Sequence, residues 1–511
     1  MKQIPFLTSC YSKHKLTAKT GSSKSSGRSS MLELEKNASS TESAGGVSAR
    51  KGSVEEYNEL AQLGYKPELQ RNRSMLTLLF QSLAIAAIPY GEGGPLMSAI
   101  VGGGPLSIFI GWIIADRGKT LLSFITGWTW LVGNWCITLS VNFGFTSLLA
   151  GTISIYKENW KATSWEMLLI FYGVCIFTLF CCAFGNRFLP MVDTFCAAFT
   201  ALTIVVVCIA LSVKADAGRH TAAYALGHYT SAFSGYGGFT FFIGLLPPAY
   251  TFSALGMISS MAEEVASPTT QVPWALSLCV PVGGIAGLFF ILPICFTLPP
   301  MADMMDAPYG QALPYIFHLV MGTPGGAVAL STLVLVIVLF CSISITNAAS
   351  RTTWAFARDN ALPLSRLWAH VNTRLGVPLW ALVLTTVVQL LLGLINLGNT
   401  TAFTAFISMG VIALAASYAV PIVISMVHGR REVSSARWNC GKVGWVINIV
   451  AVSWITFEVF LFSMPGMLPT TATSMNYASV VWAGFGVMAA IWYIAHARKV
   501  YKGPPESDGL Q

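Results

Sequence analysis

The sequence predicts an all-α integral membrane bundle of about twelve transmembrane helices, and three observations predict it. Of 511 residues, 54% are hydrophobic and only 10% are charged, against roughly 25% charged in an average soluble domain. So few charges cannot cover a water-facing surface, whereas a bilayer solvates apolar helix exteriors. The apolar residues fall into runs of the length a hydrocarbon core requires, about 20 residues. The basic residues gather at alternate ends of those runs.

In order, the runs are 75–101, 105–116, 121–150, 166–184, 189–212, 238–260, 273–298, 326–349, 379–397, 402–427, 444–464 and 478–496. With a cytoplasmic N-terminus, 17 of the 30 lysines and arginines fall on the inner side, 4 on the outer side and 9 in the N-terminal tail. Lysine and arginine concentrate in cytoplasmic loops. Both termini are therefore expected inside, and the plasma membrane is the expected location.

Three regions follow. Residues 1–72 form a cytoplasmic tail. Its stretch 20–52 is rich in Ser, Gly, Lys and Glu without aromatics, a composition that cannot bury a core and stays disordered. Glu55 to Tyr65 is amphipathic and suits the membrane surface. Residues 73–497 form the transmembrane domain, and 498–511 a cytoplasmic C-terminal tail.

The second run is the exception. Pro105 to Ile114 gives ten residues, about 15 Å of helix for a hydrocarbon core about 30 Å thick. Asp116, Arg117 and Lys119 follow at once. A truncated or re-entrant second helix is expected.

Several function classes are excluded. The net charge of +8 flanks apolar runs instead of forming a stripe with interleaved aromatics, so no nucleic-acid partner is expected. Nine of the eleven cysteines lie inside apolar runs, where cysteine packs as a small hydrophobe, and none shows metal-ligand spacing. No phosphate loop, nucleophile elbow or HExxH occurs, so neither an enzyme nor a cofactor is expected.

Two runs stand out for the helix breakers they carry at mid-depth. The first reads Ile88-Pro89-Tyr90-Gly91-Glu92-Gly93-Gly94-Pro95. Proline removes a donor and clashes with the preceding turn, and a half-helix N-terminus presents N–H groups suited to a carboxylate. Glu92 lies inside this break. A carboxylate at that depth costs about 2.5–3.5 kcal/mol on insertion scales, so it reads as a counter-charge for an ammonium, a proton-coupling group, or a cap on the broken helix. The sixth run reads Pro247-Pro248-Ala249-Tyr250-Thr251-Phe252-Ser253. There the hydroxyls of Thr251 and Ser253 can accept from an ammonium, and Tyr250 and Phe252 offer ring faces worth about 2 kcal/mol when desolvated.

The breaks open two blocks of five helices. Five is odd, so the sixth run crosses in the opposite sense to the first, and two inverted units would bring both breaks to one midplane site. Trp128, Trp130, Asn134 and Trp135 in the third run, and Glu458 in the eleventh, are lesser candidates. Glu263 and Glu264, where the sixth run ends, are expected to organise a cytoplasmic gate by pairing with basic loop residues.

Three longer stretches carry a resemblance. Met261-Ala262-Glu263-Glu264-Val265-Ala266-Ser267-Pro268 is one, and Ala349-Ser350-Arg351-Thr352-Thr353-Trp354-Ala355-Phe356-Ala357-Arg358-Asp359-Asn360 another. The third is Ser474-Met475-Asn476-Tyr477-Ala478-Ser479-Val480-Val481. Together they resemble the fungal amino-acid/choline permeases of the amino acid–polyamine–organocation (APC) superfamily, over roughly residues 55–505. The resemblance implies a five-plus-five inverted repeat with two added helices, and secondary uptake of an amino acid or a small amine such as GABA or choline. It implies the proton as coupling ion. It also implies substrate contacts at Gly91, Glu92, Gly93, Gly94, Tyr250, Thr251, Phe252 and Ser253. The basic candidates to join Glu263 and Glu264 at the gate are Arg351 and Arg358. The chain departs from the family pattern between the second and third runs, where the stretch completing the second helix is missing. A non-transporting nutrient receptor or scaffold, or an inactive truncated permease, on the same fold is the alternative.

Overall fold

The computed structural model describes residues 75–86, 119–157, 160–216, 218–230, 234–265, 267–305, 307–308, 311–398, 400–430, 433, 440–465, 468–471 and 475–501. Twelve helices organise it: α1 Met75–Ala86, α2 Lys119–Tyr156, α3 Ser164–Phe184, α4 Leu189–Lys214, α5 Leu246–Ser253, α6 Pro268–Phe296, α7 Ala312–Met321, α8 Pro324–Arg358, α9 Leu379–Gly393, α10 Thr400–Val427, α11 Val443–Leu461 and α12 Ala478–Trp492. Among the described residues, ten helical segments are long and apolar enough to cross a membrane. They match the third to twelfth apolar runs one for one. The first run is described only over α1, and the short second run lies outside the described residues.

The two longest helices, α2 and α8, form the centre and run antiparallel. Trp135 Nε1 donates to Thr353 Oγ1 at 3.0 Å, and Thr352 Oγ1 donates to Asn134 Oδ1 at 3.3 Å. At the far end, Leu149 and Ile153 face Val328, Thr332 and Leu335 around an apolar cavity of about 340 Å³. On its other flank α2 packs against α10. Gly133 permits that crossing, because a side chain there would meet Leu414 at 2.8 Å. Small residues at helix crossings let backbones approach where no water drives association.

Corresponding members of the two five-helix blocks are partners: α2 packs on α8, and α3 on α9. A buried polar staple ties three helices of this scaffold together. Asn142 Nδ2 donates to Gln389 Oε1 at 2.6 Å, and the Cys175 thiol donates to the same oxygen at 3.7 Å. Around the scaffold, Phe177 and Phe180 on α3, Ile209 on α4, Phe289 on α6, Ile447 on α11 and Val487 on α12 stay exposed. Lipid-facing helix surfaces have this character.

One element has no counterpart in the apolar runs. Helix α7 packs on α2, α4 and α8 through buried Ile316, Phe317 and Val320. Its ten residues fall short of the about 20 a span requires, so hydropathy does not mark it.

Candidate functional site

The sixth run is discontinuous, but not where the prolines suggest. A short helix, Thr240–Ile243, ends in a turn at Gly244 and Leu245. Helix α5 then starts at Leu246 with Pro247 and Pro248 in its first turn. The first-turn N–H groups of a helix have no partner to lose, so proline is tolerated there. Pro247–Ser253 is thus regular α-helix, a correction to the expected break within it. The second discontinuity follows at once, where Ala254–Glu264 winds as a 3₁₀-helix of 11 residues. Runs beyond 3–4 residues are uncommon in this conformation, and mid-helix stretches mark hinges.

Tyr250 is buried, and its hydroxyl hydrogen-bonds Ser140 on α2 at 2.7 Å. Thr251 Oγ1 donates to the Pro247 carbonyl and Ser253 Oγ to the Tyr250 carbonyl, both at 2.9 Å. With each proton directed at the helix's own backbone, what these hydroxyls offer a solute is an oxygen acceptor. Phe252 is half-buried and packs on the core.

A third helix closes the junction. The Tyr418 hydroxyl on α10 donates to the Ser253 carbonyl at 2.9 Å, and Trp130 packs on the Tyr418 ring at 5.3 Å. At Gly256 a Cβ would run into the Tyr418 hydroxyl, so any larger residue displaces that ring. Helix α1 packs against the 3₁₀ segment. Gly91, Glu92, Gly93 and Gly94 lie outside the described residues.

The lesser candidates separate. Trp130 reaches the junction. Asn134 and Trp135 fasten α2 to α8, and Trp128 belongs to an aromatic group with Phe124 and Phe356. Glu458 is buried near the end of α11.

At the end of the 3₁₀ segment the four gate candidates meet as two ion pairs. Arg351 Nε lies 2.9 Å from Glu264 Oε1, with side chains 0% and 3% exposed. Arg351 Nη2 also donates to Asn186 Oδ1 at 2.9 Å, and Asn186 Nδ2 reaches the Gly376 carbonyl at 3.3 Å. Arg358 pairs with Glu263, its guanidinium 4.4 Å over the Trp354 ring. A buried ion pair that loses one partner leaves an uncompensated charge, so the two spans separate only if both charges gain water together.

Sequence reasoning passed over Asp193. It is buried on α4 and accepts a hydrogen bond from Ser344 Oγ on α8 at 2.7 Å. A lone carboxylate within the apolar run 189–212 was the available signal.

A bundle of membrane-spanning helices with a discontinuous central span, tied at one end to a neighbouring span by two ion pairs, one of them fully buried, has the make-up of a membrane transporter. The sequence comparisons name the family: residues 76–485 match the amino acid permease family model, and the chain belongs to that family, within the APC superfamily. It is similar to an uncharacterised amino-acid permease of Schizosaccharomyces pombe, 29% identical over 88% of this chain and 90% of that one. It is also similar to a choline transporter of Saccharomyces cerevisiae, 27% identical over 77% and 70%. A GABA-specific permease of the same yeast is 26% identical over 88% and 86%.

Proposed function

We propose that this transporter is a proton-coupled importer of an amino acid or small amine, of the GABA or choline kind, in the plasma membrane with both termini cytoplasmic. The observation that carries the reading is the hinged junction at Ser253. Its carbonyl and hydroxyl oxygens, with that of Thr251, are acceptors for an ammonium, and Tyr250, Tyr418 and Trp130 supply ring faces. The matching relatives named for choline and GABA share the ammonium group as their solutes' common chemistry.

On this reading Gly91, Gly93 and Gly94 present N–H groups to a solute carboxylate, and Glu92 is the counter-charge to its ammonium. The pairs Arg351–Glu264 and Arg358–Glu263 form the cytoplasmic gate, shut in the conformation described. The Lys and Arg distribution supports that side as cytoplasmic. One proton crossing 100 mV supplies about 2.3 kcal/mol, enough for a solute gradient of several tens-fold.

Competition uptake tests the reading: labelled choline, GABA, putrescine and neutral amino acids, supplied to cells lacking their own permeases. Saturable uptake of one class above the vector control is expected. Surface-exposed protein with no uptake of any class contradicts it.

A further inference from the structure

Helix α4, with the 3₁₀ turn Asn186–Phe188 that leads into it, meets α8 in two antiparallel rungs. Asp193 accepts from Ser344 at 2.7 Å, and Asn186 accepts from Arg351 at 2.9 Å. Seven residues separate Asn186 from Asp193, and seven separate Ser344 from Arg351. On α8 that spacing is two helical turns, about 10 Å, and on the other side it is spanned by the 3₁₀ turn and the first turn of α4. The rung nearer the gate shares its guanidinium with Glu264. The deeper rung holds a carboxyl group 1% exposed, against a hydroxyl 2% exposed. Asn347, one turn from Ser344 toward the gate, is fully buried, and neither polar atom of its side chain has a hydrogen-bond partner. The α8 face between the rungs therefore keeps hydrogen-bonding capacity in reserve.

We propose that Asp193 is the carboxyl group that takes up and releases the coupled proton, and that its contact with Ser344 sets whether the Arg351 rung holds. The inference rests on reading the chain as a proton-coupled carrier, and leaves Glu92 to face the solute. Intramembrane carboxylates at helix interfaces serve as proton relays. As a carboxylate, Asp193 receives a charge-assisted hydrogen bond, about twice as strong as a neutral one. With a proton on the carboxyl oxygen that bond weakens, α4 and α8 loosen at this depth, and the load falls on Asn186 and Arg351. Proton uptake is thereby linked to the gate through two rigid helices instead of through the solute.

The titratable groups on elements packed against α4 leave this assignment distinct. On α4 itself Cys196 lies near, with Cys341 on α8 beyond it. Arg351, with Glu264, is two turns away along α8 and Arg358 farther still, and Arg187 lies on the 3₁₀ turn Asn186–Phe188 that leads into α4. Helix α1 carries no titratable side chain, α6 carries only Cys279 and Cys295, and α7 carries Tyr315 and His318.

The test uses the full chain in liposomes, with labelled GABA, choline, putrescine and leucine as probes. Solute counterflow at equal pH reports the carrier, and accumulation against a pH gradient reports the proton. Asp193→Asn is expected to keep counterflow while accumulation falls from several tens-fold to about onefold. Retained pH-driven accumulation in Asp193→Asn overturns the proposal. Wild-type counterflow without pH-driven accumulation also overturns it, yet leaves the carrier reading intact. No wild-type counterflow of any probe overturns both. Should Asp193→Asn fail to fold, dicyclohexylcarbodiimide on the wild-type chain decides. Modification found at Asp193 by mass spectrometry, together with lost pH-driven accumulation, supports the assignment. The same loss with Asp193 unmodified overturns it.

Discussion

Arg351 donates from Nε to Glu264 Oε1 at 2.9 Å, joining the end of the 3₁₀ segment to α8 with both groups shut away from solvent. Removing one member of a buried pair costs about 3–5 kcal/mol, whereas replacing both by apolar residues is often neutral. Glu264→Leu alone should therefore lower the melting temperature of the detergent-solubilised chain sharply. Glu264→Leu with Arg351→Met should restore the melting temperature and still abolish uptake, because the gate can no longer wet and open. Uptake at the wild-type rate in the double variant would remove the pair from gating.

At the hinge, Gly256→Ala forces a methyl group into Tyr418. Uptake should fall by about tenfold or more, the 1.4 kcal/mol equivalent of a modest overpacking strain. Adding Tyr418→Leu clears the space and should recover part of the rate, at the expense of the bond to the Ser253 carbonyl. Equal loss in the single and double variants, in an initial-rate assay, would contradict the contact.

The Asn142–Gln389 staple predicts the opposite split. Gln389→Leu leaves the buried Asn142 amide without its acceptor, a loss of about 1–3 kcal/mol. Thermal stability should drop while uptake per folded molecule holds, since the staple belongs to the scaffold and not to the hinge.

The C-terminal end is anchored by Tyr501, whose hydroxyl meets Ser123 at 2.8 Å and whose ring packs on Phe124 at 5.3 Å. Burial pushes the Tyr501 hydroxyl above the ordinary tyrosine range, against the Ser123 hydrogen bond that lowers it. A folded value above the unfolded one means the contribution is complete below about pH 10. It is lost as pH rises through the folded value. Alkaline melting curves of the wild type should steepen above that range, and Tyr501→Phe, about 1 kcal/mol less stable at neutral pH, should lack this limb.

Much of this was legible in the sequence, for reasons that differ by residue. Hydropathy located ten spans because the bilayer demands long apolar runs, and the same demand hid α7, which is buried by packing and not by lipid. The four members of the two ion pairs stood out because Glu263, Glu264, Arg351 and Arg358 are charges at span ends, where charges need partners. Pro247 and Pro248 misled: proline disrupts a helix interior but starts a helix well, and position in the turn decides which. Tyr418 could not be found, since its role depends on α10 lying against a bend that only the folded chain creates. Asp193 was overshadowed by the conspicuous breakers, although its charge in an apolar run was the plainer anomaly.

The most direct measurement is solute flux by the purified chain alone in sealed liposomes. The account predicts saturable counterflow of one labelled amine or amino acid, lowered by about tenfold or more in Gly256→Ala and lost in the doubly apolar Glu264→Leu, Arg351→Met variant. Correctly inserted, monodisperse protein that exchanges none of them would contradict it.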